Sequence, residues 1–113
     1  MAPKKNPLNL NPLQLKTLTL FQVLAKMEGV GEPLDDGHIK VAQFPHAHGN
    51  HFHLGPYVVS SKDATGLGNV AVWVALERKG LIRSGHPYFL DMTPAGLEYD
   101  TGMASTILHG SDH

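Results

Sequence analysis

The sequence predicts a single α+β domain in which helices are separated by short antiparallel strands. Three observations lead to this prediction: a capped, helix-periodic segment near the N-terminus, a β-rich segment around a Gly-Asn pair, and further helix and strand signals after residue 60. A chain of 113 residues with 42% hydrophobic content is long enough to bury one core. We expect a folded domain over residues 12–101, an N-terminal extension over 1–11 and a flexible C-terminal tail over 102–113.

The composition excludes several kinds of site. The chain has no cysteine, so disulfides, thiolate nucleophiles and cysteine-bound metal centres are ruled out. Nine Lys and Arg residues against ten Asp and Glu residues give a net charge of −1, so no overall basic field indicates a nucleic-acid partner. There is no signal-peptide pattern and no window of about 18 apolar residues, which predicts a cytoplasmic protein without a membrane partner.

The first element is a predicted helix of about four to five turns. Asn11 is a candidate N-cap, Pro12 occupies the first helical position, and Gly29 ends the helix. Apolar residues occupy a broad side of this helix, which predicts burial against the core. They are Leu13, Leu15, Leu18, Leu20, Phe21, Val23, Leu24 and Met27.

An additional β-hairpin rich in histidine is predicted over residues 38–59, with the Gly-Asn pair at the centre of its turn. In this register His48 pairs with His51, and His46 pairs with His53. Because side chains alternate between the two faces of a strand, all four imidazoles then lie on the same face. The hairpin is therefore predicted to present a compact histidine patch.

The predicted histidine patch has three interpretations. Neutral imidazole is a favoured ligand of Zn²⁺, Ni²⁺ and Cu²⁺, so His46, His48, His51 and His53 are candidate metal ligands. Protonation in mild acid removes the ligand, which makes a metal- or pH-responsive element the second interpretation. The third is a solvated hairpin tip whose histidines only hydrogen-bond water.

The second half of the chain predicts two helices joined by a glycine turn and followed by a small hairpin. Ser60 and Ser61 can cap a short helix, a Gly-Leu-Gly turn follows, and a longer helix runs from about Asn69 to Lys79. Two short strands then flank a Ser-Gly-His-Pro turn. Thr93 and Pro94 start a closing helix.

The segment LERKGLIRSGHPYFLDMTPAGLEY resembles the end of the recognition helix, the wing and the closing helix of winged helix-turn-helix proteins, in particular the MarR-like regulators. The resemblance covers residues 70–99 and implies an α+β, winged helix-turn-helix-like domain with the histidine-rich hairpin added. It also implies a dimeric, DNA-binding role in transcription regulation. Asn69 is then the candidate base-reading residue, and the candidate phosphate contacts are Arg78, Lys79, Arg83 and His86.

The predicted recognition helix departs from this family in its side chains. Val70, Ala71, Val74 and Ala75 stand where such regulators present side chains that hydrogen-bond to bases. The alternative is a winged-helix module that makes protein–protein or homodimer contacts through this apolar helix without binding DNA. A third interpretation buries the helix in the core. No nucleophile elbow, phosphate-binding glycine loop or pair of helical carboxylates is present, so we expect no enzymatic activity.

Overall fold

The computed structural model describes residues 6–110, which form an α+β domain of helices and two four-stranded antiparallel sheets. The helices of this part of the chain are α1 (Pro12–Lys26), α2 (Val70–Arg78), α3 (Pro94–Glu98) and α4 (Ala104–Ile107). The parts of the predicted extension and tail at residues 1–5 and 111–113 lie outside the described residues.

The two sheets have different roles in the fold. The first sheet has the order β1-β2-β7-β6 and contacts α1 and α2. Its strands are β1 (Gly31–Pro33), β2 (Ile39–Val41), β6 (Ile82–Gly85) and β7 (Phe89–Met92). The second sheet has the order β3-β4-β5-β8 and carries the histidine-rich segment. Its strands are β3 (Ala47–His48), β4 (His51–Leu54), β5 (Tyr57–Ser60) and β8 (His109–Gly110).

Helix α1 forms where its capping signals predict. The Asn11 side chain accepts a hydrogen bond from the backbone N–H of Gln14, and the Gln14 side chain accepts one from the Asn11 N–H, which completes a capping box. The middle of the helix is buried and includes Leu18, Leu20 and Phe21. The first helix is thus confirmed, and it forms one wall of the core.

The segment before α2 is shorter and tighter than the predicted short helix. Residues 61–63 and 65–68 form two 3₁₀ turns, and Asn69 caps α2 through its side chain. The second 3₁₀ turn packs against α1 so closely that a Cβ on Gly66 would collide with the Thr17 side chain. The predicted longer helix and the small hairpin after it are both present, as α2 and β6–β7.

The histidine-rich segment is divided between the two sheets, whereas the sequence predicted one hairpin over 38–59. Strand β2 pairs with β7 in the first sheet, and residues 47–60 form a three-stranded meander, β3-β4-β5, in the second. The reason is that residues 42–46 contain Pro45 and lie outside any strand, which separates the two β regions. The predicted turn at Gly49 and Asn50 is confirmed, with His48 opposite His51.

Both ends of the predicted domain extend further than the sequence indicated. Leu10, in the predicted extension, is only 4% exposed, and the Asn6 carboxamide accepts a hydrogen bond from the Tyr99 hydroxyl. Residues 104–110, predicted as flexible tail, form α4 and β8. The physical reason is burial, because Ile107 is fully enclosed in the core and anchors this segment.

Trp73 connects α2 to the rest of the core. It is 1% exposed and makes edge contacts with Phe21 of α1 and with His86. Its indole N–H donates a hydrogen bond to the carbonyl of Leu67 at 3.2 Å. These contacts turn the Trp73 side of α2 inward and fix which side of the helix faces outward.

Candidate functional site

The outer face of α2 is open to solvent. Val70 and Val74, one helical turn apart, are 53% and 39% exposed. Ala71 is exposed as well, and the buried residues of the helix lie on its other side. From the sequence, this apolar face could contact DNA, contact another protein chain, or be buried in the core. Their exposure excludes burial in the core for Val70 and Val74. An exposed pair of valines on a helix is a candidate contact surface.

Three of the five residues predicted to contact DNA interact with other residues of the domain instead. The Asn69 side-chain oxygen accepts a hydrogen bond from the backbone N–H of Ala71 at 3.1 Å, so it serves as the cap of α2. The His86 ring packs edge-on against Trp73, with ring centroids 4.7 Å apart. Both side chains therefore have structural roles that the sequence did not reveal.

Arg83 is the third of these residues, and its charge is balanced by two carboxylates. Its guanidinium lies 3.1 Å from a carboxylate oxygen of Asp36 and 3.1 Å from one of Asp91. Asp91 is directly opposite Arg83 across β6 and β7, whereas Asp36 comes from the loop between β1 and β2. The backbone N–H of His38 and the Arg83 guanidinium lower the pKa of the Asp36 carboxyl below its ordinary value. The contact between Asp36 and Arg83 was not predicted, because it joins residues 47 positions apart and has no local sequence signal.

Arg78 and Lys79 are the two remaining predicted contacts, and both are exposed at the C-terminal end of α2. Their neighbour Glu77 accepts a hydrogen bond from the backbone N–H of Ser84 at 2.9 Å, which attaches the β6–β7 hairpin to α2. The turn of this hairpin also presents Tyr88, which is 78% exposed. Sequence reasoning missed Tyr88 because an aromatic residue beside a strand is more often half-buried.

Three of the four predicted histidine ligands come together on the β3–β4 hairpin. We call His48, His51 and His53 the histidine cluster. Their ring centroids are 6.3 Å apart for His48–His51, 5.3 Å for His48–His53 and 4.9 Å for His51–His53. The Nε2 atoms of His51 and His53 are 3.2 Å apart. The alternation of side chains along β4, together with the predicted turn, accounts for this arrangement.

His46 is outside the cluster. It precedes β3 and is exposed, and within residues 6–110 no ring contact joins it to another histidine. The predicted pairing of His46 with His53 is therefore wrong, because the paired part of β3 contains only Ala47 and His48.

His109 lies on the same face of the second sheet as the cluster. Strand β8 places His109 opposite Val58, and Val58 is opposite His53 on its other side. Directly opposed residues of antiparallel strands share a face, so His53, Val58 and His109 form one cross-strand row. This row was not predicted from the sequence, because the two-residue strand at residues 109–110 was not expected.

A separate cleft of about 590 Å³ lies between α1, the β4–β5 turn and α4. Its lining is mainly apolar and includes Val23, Met27, Tyr57 and Leu108. Lys26 and Glu28 are the charged residues in the lining. The walls of this cleft come from elements other than α2.

Comparison with protein-family models, curated proteins and solved structures finds no match to this chain. Within residues 6–110 there is no helix long and apolar enough to cross a membrane. In the same part of the chain, no group of three or more His, Asp or Glu side chains is already arranged to hold a metal ion. The geometry of α2, its neighbouring hairpin and the histidine cluster is therefore the basis for the functional conclusions.

Proposed function

We propose that this chain is a winged-helix-like interaction module that pairs with a second copy of itself through the outer face of α2. The observation that carries the proposal is the exposure of Val70 and Val74 on one side of a helix whose other side is buried. Transfer of these side chains out of water favours association, and the small Ala71 beside them allows two helices to approach closely.

A second copy is the occupant that the charges of this surface fit best. The helix ends with Glu77 followed by Arg78 and Lys79, so both signs of charge adjoin the apolar face. A two-fold contact brings the same patch from both copies together, and each sign can then meet its opposite. The chain carries a net charge of −1, so two copies repel each other only weakly.

The size of the surface limits the affinity of such a dimer. Helix α2 has nine residues and is therefore about 14 Å long. Stable interfaces bury about 800 Å² on each partner, which is more than one short helix face supplies. Tyr88 on the neighbouring β6–β7 hairpin offers further aromatic surface. We therefore expect a dimer that dissociates in the micromolar range or above.

Sedimentation velocity from micromolar to about millimolar protein tests the proposal. Full burial of an exposed valine contributes about 1.5 kcal/mol or more. Val70 and Val74 are only about half exposed in the monomer, so each contributes roughly half of that, and a two-fold interface contains four of them. The double substitution Val70→Ser/Val74→Ser should thus weaken dimerisation more than tenfold. The matched control is Tyr57→Ser, which changes an exposed apolar residue on β5 and should leave the dimer unchanged. A wild-type chain that stays monomeric throughout, or a double variant that associates like wild type, contradicts the proposal.

Binding to duplex DNA is the second candidate, supported by the exposed Arg78 and Lys79 beside a wing-like hairpin. Two phosphate contacts correspond to a slope of about −1.8 in the dependence of log affinity on log salt. Arg83 adds to this slope only if it leaves Asp36 and Asp91. The expected affinity is accordingly low and depends strongly on dimer formation.

Fluorescence anisotropy with labelled duplex DNA at low salt tests this candidate. Arg78→Ala/Lys79→Ala should abolish binding while leaving the Arg83 ion pairs intact. The absence of binding by wild type at micromolar protein would remove the DNA candidate and leave the α2 dimer unaffected.

A further inference from the structure

The histidine cluster lies on the second sheet, away from the elements used by the proposed α2 contact. His51 and His53 are alternate residues of β4 and point to the same face, and His48 reaches them from β3. We propose that this cluster binds one divalent transition metal ion, with His51 and His53 as a preformed ligand pair and His48 as the third ligand. Zn²⁺ is the ion that the geometry fits best.

The separation of the two Nε2 atoms supports tetrahedral coordination. A tetrahedral zinc ion with Zn–N bonds of about 2.0–2.1 Å holds two ligand nitrogens about 3.3–3.4 Å apart. Square-planar Cu²⁺ or Ni²⁺ brings neighbouring ligand nitrogens to about 2.8–2.9 Å. The observed distance between His51 Nε2 and His53 Nε2 is 3.2 Å, which is closer to the tetrahedral value.

The ring positions support the same geometry and show which ligand must move. Two imidazoles on one tetrahedral ion have centroids about 5.2 Å apart. The His51–His53 and His48–His53 centroid distances, 4.9 Å and 5.3 Å, are close to this value. The His48–His51 distance is longer, 6.3 Å. His48 is exposed and can rotate about its side-chain torsions, so the third ligand completes the site after the pair has bound the ion.

The surroundings of His51 orient its ligand atom. Its Nδ1 lies 3.4 Å from the side-chain oxygen of Asn50, which can only accept a hydrogen bond. This contact favours the tautomer that has the proton on Nδ1 and the lone pair on Nε2. A hydrogen bond of 2.8 Å from the Ser61 N–H to the Asn50 carbonyl fixes the turn that contains Asn50.

Metal binding changes the position of one proton in the pair but not the number of protons, so no added acid or base is needed. If His51 has the tautomer that the Asn50 contact favours, its Nε2 accepts a hydrogen bond from the Nε2–H of His53. When the ion takes the place of that hydrogen, His53 carries its proton on Nδ1, and both Nε2 lone pairs face the metal. The ligand set is nitrogen only, which selects transition metals over Ca²⁺ and Mg²⁺.

Competition between the protein and a chromophoric chelator for Zn²⁺ measures the affinity and stoichiometry. We expect one ion per chain. His51→Ala and His53→Ala should each weaken binding by more than about 100-fold, since loss of an outer-shell partner alone costs about 10–100-fold. His46→Ala is the matched control, because His46 belongs to the same segment but lies outside the cluster. It should leave the affinity unchanged.

Imidazole nitrogen NMR on the unaltered protein gives an independent result. On addition of one equivalent of Zn²⁺, the Nε2 signals of His51 and His53 should shift together, and the Nδ1 atoms of both residues should carry the proton in the bound state. The proposal is overturned if His46→Ala weakens binding as much as His53→Ala, if all variants bind zinc equally, or if the two Nε2 signals do not move. Circular dichroism of each variant confirms that the fold is retained, and loss of the fold in a variant leaves the NMR result to decide.

Discussion

Replacement of Trp73 by phenylalanine tests how firmly α2 is held in the domain. Trp73 is 1% exposed, lies 5.2 Å from the Phe21 ring centroid, and donates its indole N–H to the Leu67 carbonyl. Phenylalanine keeps an aromatic ring in the core but loses the hydrogen-bond donor. It also leaves unfilled the volume that the second ring of the indole occupied.

The magnitude follows from these two losses. Loss of this part-buried hydrogen bond costs about 1 kcal/mol. A cavity of roughly 40 Å³ costs about another 1 kcal/mol at the usual penalty per unit volume. The total of about 2 kcal/mol corresponds to a decrease in Tm of about 8 °C, because a chain of 113 residues gains about 0.24 kcal/mol/K of entropy on unfolding.

Thermal unfolding followed by circular dichroism measures this effect without relying on tryptophan fluorescence. Tyr88→Phe is the matched control, since it changes an aromatic residue that is 78% exposed and should alter stability by less than about 0.5 kcal/mol. A decrease below about 2 °C for Trp73→Phe would refute the packing of α2 against α1 through this residue.

Two further predictions concern the elements around the α2 face. Gly96→Ala places a Cβ against the backbone carbonyl of Leu81, so it should lower the free energy of unfolding by about 1–3 kcal/mol, as measured by urea denaturation. Asp36→Asn should lower the melting temperature relative to wild type at neutral pH, and this difference should disappear in acid. The pKa of Asp36 is lowered in the folded state, so its contribution is present above the unfolded pKa and disappears as pH falls through the folded pKa. Equal melting temperatures of wild type and Asp36→Asn at neutral pH would contradict this second prediction.

Local signals were sufficient to predict several elements. Asn11 and Pro12 define the start of α1, Thr93 and Pro94 define the start of α3, and the Gly-Asn turn sets the register of β3 and β4. In each case the residues that determine the structure are neighbours in sequence. Capping and tight-turn geometry depend on only a few consecutive residues, so the sequence alone carries the information.

Elements that depend on distant partners were not predicted. Strand β8 exists because residues 109–110 pair with β5, about 50 positions earlier in the chain. Strand β2 pairs with β7 and not with the histidine-rich hairpin. Two-residue and three-residue strands have no periodicity of their own, and only their partners identify them.

The candidate site shows the same division at the level of single side chains. A sequence gives the bonding capacity of each residue, and Asn69, Arg83 and His86 do have the capacity to contact DNA. In the folded chain the Asn69 oxygen caps α2, the Arg83 guanidinium is paired with Asp36 and Asp91, and the His86 ring packs on Trp73. A new partner must therefore compete with bonds that already exist.

No comparable competition applies to the valines of α2. The side chains of Val70 and Val74 form no hydrogen bonds or ion pairs that a partner must break. Burial of their exposed apolar surface against an apolar partner is favourable in free energy. Since three of the five residues predicted to contact DNA are engaged inside the domain, association through an apolar surface costs less than association through the β6–β7 hairpin. This difference is the physical reason to expect a second copy of the chain, rather than DNA, on the outer face of α2.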